Sequence, residues 1–193
     1  MTCRASFWAK QKFLCGRDEK HWFVAAIPEN EPVNTVIGTK IALKPKEVRT
    51  REQALGRKES FWRRNAVCVR QGESFFLSER HVGADSLHIL RNEPLSRGNG
   101  SKAHIVKQCY RSGGETVYAS GKYPLGISAE EYKRLPKRER TLGFTMMKRD
   151  AAVYVRGEVR HPDHGTMTLN GWHRALMNTE NRSSALRYLA FLD

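Results

Sequence analysis

The chain has 193 residues, 34 Lys and Arg against 20 Asp and Glu, and a formal net charge of +14. At 39% hydrophobic and 28% charged it can bury one core, and it is too mixed in composition to be read as disordered. No apolar run approaches the roughly 18 residues of a membrane helix, and Cys3, Cys15, Cys68 and Cys109 lack the spacing of a disulfide framework.

The opening Met1-Thr-Cys-Arg-Ala-Ser-Phe-Trp-Ala-Lys10 lacks the apolar core of a signal peptide, so a cytoplasmic protein with no membrane association is expected. In chain order, His21–Ile27 reads as a strand ending at Pro28. Thr35–Leu43, rich in β-branched residues, reads as a second strand with a bulge at Gly38. Thr50-Arg-Glu-Gln53 has capping-box form and predicts a helix to about Arg63.

From residue 65 the pattern turns to β. Ala66–Val69 and Ser74–Leu77 flank Gln71-Gly72-Glu73 as a hairpin, and Ser86–Leu90 reads as a short strand. His104–Tyr110 and Thr116–Ala119 flank paired glycines, which predicts a second hairpin. Ser128-Ala-Glu-Glu131 is a stronger capping box, opening a short helix that Pro136 stops or kinks. Ala151–Arg160 alternates, with Val153, Val155 and Val159 on one face and Tyr154, Arg156 and Glu158 on the other. Asn170-Gly171 predicts a two-residue hairpin in which Leu169 opposes Trp172, assigning Trp172 to the core. Ala185–Leu192 reads as a helix or strand packing back on the sheet. The expected fold is α+β and β-rich: a mainly antiparallel sheet or partly open barrel with two or three short helices. It forms a single domain over 1–193, with an N-terminal subregion 1–64 and a β-rich body 65–193.

The charge is concentrated. Residues 44–64 carry +5 and residues 133–149 carry +6, so 11 of the 14 excess charges lie in 38 residues. Arginine outnumbers lysine 21 to 13, and guanidinium meets phosphate bidentately and stacks on bases. Two dense basic segments point to a polyanion, with RNA ahead of DNA. The predicted phosphate contacts are Lys44, Lys46, Arg49, Arg51, Arg57, Lys58, Arg63 and Arg64 in the first segment. In the second they are Lys133, Arg134, Lys137, Arg138 and Arg140, both segments being read as helical. Trp62, beside Arg63, is a candidate for stacking on an unpaired base.

Pro162-Asp163 with Gly165 reads as a polar β-turn, and the histidines around it supply the alternative chemistry. His161-Pro-Asp-His164 with His173 and Arg174 could act as a metal-independent ribonuclease: an imidazole base, an imidazole acid and a cation for the phosphorane. The predicted hairpin register sets His164 about 13 Å from the level of His173, too far for a shared metal, and no metal or cofactor is expected. A third reading is a small inhibitor or accessory protein docking on an acidic protein partner. Each basic segment should fold against the 151–178 region if the histidines act on nucleic acid.

Overall fold

The computed structural model describes residues 11–19, 21–56, 61–96, 102–124 and 126–182. The stretch Ala185–Leu192, Cys3, Arg57 and Lys58 lie outside the described residues. Eleven strands and four short α-helices are present among them.

Strands β1 (Lys12–Asp18) and β2 (His21–Ile27) form a separate hairpin. Helices α1 (Val36–Ala42) and α2 (Lys46–Glu52) follow. The main body is a six-stranded antiparallel sheet ordered β3-β4-β11-β10-β6-β5. Its strands are β3 (Cys68–Gln71), β4 (Ser74–Ser78), β5 (Leu90–Leu95), β6 (His104–Ser112), β10 (Ala152–His161) and β11 (His164–Met177). A three-stranded sheet ordered β8-β7-β9 is built from β7 (Glu115–Ala119), β8 (Ile127–Ser128) and β9 (Thr145–Arg149). It carries helices α3 (Ala129–Arg134) and α4 (Lys137–Arg140).

The alternation of β10 is realised: Val155 and Val159 are fully buried, and they join Val69, Phe76, Leu95, Val106, Cys109 and Leu169 in one cluster. Val69 and Leu95 come from the two edge strands, so the sheet curls until its edges share a core without pairing. On the other face, α2 inserts Val48 against Cys68, Phe75 and Leu77. The class is therefore as expected, β-rich and antiparallel, with no closed barrel.

Several local readings are corrected. Thr35–Leu43 is not a strand. The Thr35 hydroxyl accepts from the Gly38 amide at 3.1 Å, starting a helix that buries Thr39 and Ala42. The capping box at Thr50 does not open a helix; α2 begins after Pro45 and ends at Glu52, because burial of Val48 fixes it earlier. Phe61–Arg64 is consequently not helical, and Arg64 instead bridges to Val69. Ser86–His88 is a single 3-10 turn capped by Asp85, and the strand starts at Leu90.

The glycines at 113 and 114 do not close a hairpin. Ser112 pairs with Ala152 in the large sheet, while Glu115 pairs with Arg149 in the small one. The two-stranded ladder thus runs on through a neck and continues as an arm, residues 115–149. At Gly114, φ is +78° and a Cβ would lie 2.6 Å from the Arg149 carbonyl oxygen, so only glycine fits this crossing.

Asn170-Gly171 is likewise no hairpin, since both residues lie inside the continuous strand β11. Gly171, at φ +81°, sits where Arg156 alone faces three residues of β11, a bulge between the pairs Val155–His173 and Gly157–Leu169. The chain reverses instead at Pro162-Asp163, where His161 pairs with His164. The capping box at Ser128 is real in both directions: Glu131 N–H donates to Ser128 Oγ at 3.2 Å and Ser128 N–H to Glu131 Oε2 at 2.8 Å.

Candidate functional site

The true turn at Pro162-Asp163 brings His161 and His164 face to face, ring centroids 4.7 Å apart. His104, at the start of β6, completes a cluster at 4.5 Å from His161 and 6.4 Å from His164. His104 is fully buried against Phe76, and Ser74 Oγ lies 3.4 Å from its Nδ1. Burial lowers its pKa to about 4, only partly opposed by the Glu73 charge, so the ring is neutral at physiological pH.

The other two rings are also enclosed. The Asp163 amide donates to His161 Nδ1 at 3.1 Å, which leaves the proton on Nε2, 3.3 Å from the Lys102 carbonyl. His164 Nδ1 lies 3.6 Å from Glu19 Oε2, beyond hydrogen-bond reach. Its Nε2 rests on the Gly72 backbone, where a Cβ would approach to 2.8 Å. Lys102 pairs with Asp163 at 2.8 Å and holds that carboxylate well below its usual range. Among the described residues, no three His, Cys, Asp or Glu groups converge with metal-ligand geometry.

The predicted ribonuclease set is therefore not assembled. His173 lies on the same strand as His164, nine residues on, or about 30 Å rather than 13 Å. It is buried, its Nδ1 is 3.1 Å from the Gly171 carbonyl, and burial lowers its pKa. Arg174 alternates to the opposite face of the sheet. His104 and Ser74 were missed, because only long-range pairing brings their strands beside the turn.

The first basic segment does fold close to this end of the sheet, but four of its six described cations are matched within the fold. Lys44 is buried in an ion pair with Glu52, whose other oxygen accepts from Asn65 at 2.7 Å. This corrects its assignment to phosphate. Arg49 pairs with Glu31 at 3.4 Å, and Arg51 with Glu79 at 2.6 Å. Arg63 pairs with Asp18 and, at 2.8 Å, with Glu19. Only Lys46 and Arg64 are exposed without an acidic partner among the described residues, Arg64 reaching the Thr168 carbonyl at 3.4 Å. Trp62 is 61% exposed.

The second segment lies at the far end. Strand β10 leaves the neck at Ala152 and reaches the histidines at His161, about 30 Å away. The arm has a small aromatic core of its own: Tyr118 stacks on Tyr132 at 4.2 Å, and Phe144 meets Tyr132 at 5.0 Å and Tyr123 at 5.8 Å. Its one acidic residue within 133–149, Glu139, accepts from Lys122 at 2.8 Å and the Tyr123 hydroxyl at 3.0 Å. That contact holds its carboxyl below the usual range. Arg134 approaches Glu130 at 3.9 Å, both more than 80% exposed, a contact of little strength. Lys133, Lys137, Arg138 and Arg140 are exposed with no acidic partner among the described residues. The two basic segments thus occupy opposite ends, and the expected convergence on the histidines fails for the second.

Comparison outside the chain adds nothing to this geometry. No family model, curated protein or solved structure matches. No described helix is long and apolar enough to cross a membrane.

Proposed function

We propose that this protein binds single-stranded RNA, gripping phosphates with the tip of the 115–149 arm. The observation that carries the reading is the set Lys133, Lys137, Arg138 and Arg140: four exposed cations on two short helices, unmatched by carboxylates among the described residues. An unpaired cation keeps its full attraction for a polyanion, whereas one already in an ion pair must first lose its partner. Tyr110, Tyr154 and Trp172, clustered on the large sheet beside the neck from which the arm leaves, favour a strand with unstacked bases over a closed duplex. In the histidine cluster both His161 nitrogens are engaged, and the two without a hydrogen-bond partner, His104 Nε2 and His164 Nδ1, are buried away from solvent, so the enzymatic alternative has less support.

The test is a salt titration of binding to single-stranded RNA, duplex RNA and duplex DNA. Four phosphate contacts predict a log–log slope of about −3 on single strands, at about 0.7 per contact. Tightest binding to the single strand is expected. Absence of binding, or affinity indifferent to salt, rejects the reading. A preference for an acidic protein at the same salt would replace it.

A further inference from the structure

The arm's own rings, Tyr118, Tyr132, Phe144 and Tyr123, are taken up in packing on one another, and a second set of rings lies on the large sheet. On the face opposite the buried valines, two rows of paired residues lie next to the neck. One is Arg91–Gln108–Arg156, the other Tyr110–Tyr154–Arg174. The bulge at Gly171 adds Trp172 to them. Tyr110 stands 6.3 Å from Tyr154 and 6.4 Å from Trp172, and the Arg156 guanidinium lies 4.6 Å over the Trp172 ring. Arg156 is itself tied to Gln108 Oε1. None of these six row positions is acidic. Where α2 covers the far part of this face through Val48, the residues are apolar (Cys68, Phe75, Leu77); nearer the neck they are mostly half-buried, aromatic and cationic.

We propose that this face is a stacking platform for unpaired bases of the single-stranded RNA whose phosphates the arm holds. The inference rests on the RNA-binding reading above. Three rings fixed by their strands present π-faces at low entropic cost, and Arg156, pinned by Gln108, holds the indole in place while Arg91 and Arg174 face phosphate. Position is compatible with one shared strand: from Tyr154 it is about 16 Å to the foot of the arm at Arg149 and about 13 Å more along β9 to Thr145, where the helix-bearing tip begins, a span that a dodecamer covers. A protein interface is likewise rich in Tyr, Trp and Arg; what favours RNA is that these rows adjoin the arm's unmatched cations, while Glu158, the next residue of this face along β10, lies past Arg156 on the side away from the neck.

The experiment uses the full chain and a uridine dodecamer, with a dodecamer of identical backbone lacking bases at its central positions. Wild type is expected to bind the intact oligomer about tenfold or more above the abasic one. Tyr154→Leu and Tyr110→Leu should each lose most of that preference and leave the salt slope unchanged, while Tyr154→Phe keeps it. Neutralising the arm should make the slope shallower by about 3, leaving the share of Arg91 and Arg174, and preserve the preference for bases. Using both leucine variants, with thermal melts as folding controls, guards against one failing to fold. If wild type binds with a steep slope but the folded leucine variants keep the base preference, the platform is wrong and the arm stands. If wild type binds no single strand, both readings fail together.

Discussion

The two basic segments are nearly equal in charge, +5 and +6, yet they do opposite things. In residues 44–64 four of the six described cations are built into the fold: Lys44 is buried with Glu52, Arg49 and Arg51 reach Glu31 and Glu79, and Arg63 ties down the β1–β2 turn. In residues 133–149 the helices have no core to face except a small aromatic cluster, and four cations remain turned to solvent. The lesson is that net charge predicts a binding surface only after the ion pairs of the fold are subtracted. Glu52 apart, the acidic partners of the first segment (Glu31, Glu79, Asp18 and Glu19) come from elsewhere in the sequence, so a local count could not reveal them.

This contrast is open to attack in order of size. Lys44→Ala should be the most damaging, costing about 3–5 kcal/mol because it strands the buried Glu52 carboxylate. The urea midpoint measures it, and RNA affinity of the folded fraction should stay unchanged. A loss below about 1 kcal/mol would mean the first segment is not structural.

Acid comes next. His104 has its folded pKa depressed to about 4 from an ordinary value of 6.5, so the native state takes up its proton less readily than the unfolded chain. Its contribution is full above pH 6.5, fades as the pH falls to 4, and amounts to about 3 kcal/mol. Unfolding free energies across that window should show the loss, and His104→Leu should flatten it.

The third test reverses the first. Replacing Lys133, Lys137, Arg138 and Arg140 with Gln should weaken RNA binding about a hundredfold at moderate salt and make the slope shallower by about 3. Stability should move by no more than about 0.5 kcal/mol. Last, Arg63→Gln breaks partly exposed ion pairs, so stability should fall by less than about 1 kcal/mol. Binding should change by no more than about twofold in a titration; a larger fall would return the first segment to the interface.

How much of this was legible in the sequence follows from the range of the interactions. The β10 alternation, the β3–β4 hairpin and the Ser128 capping box are local, and the chain adopts each of them as read. Asn170-Gly171 misled because a dipeptide suited to positive φ serves a bulge as well as a turn; the neighbouring strands, which continue the ladder past it, decide between them. Once the reversal moved to Pro162-Asp163, His161 and His164 came together and His173 was removed. The arm was hidden for a similar reason: Gly113-Gly114 signals a change of direction but not which partner each flanking strand takes. Tyr154 and Arg156 were read on one face, while Trp172 joined them only through the bulge.

The neck has a consequence for modularity. Ser112 and Ala152 face each other directly across the ladder, so the arm enters and leaves the sheet at adjacent points. Excision of 115–151, with Gly113 and Gly114 joined to the strand at 152, would leave a two-residue loop closing β6 onto β10. The arm is thus topologically an inserted cassette. It could be lengthened, exchanged or removed by cutting at a single locus, without re-routing any strand of the body that carries it.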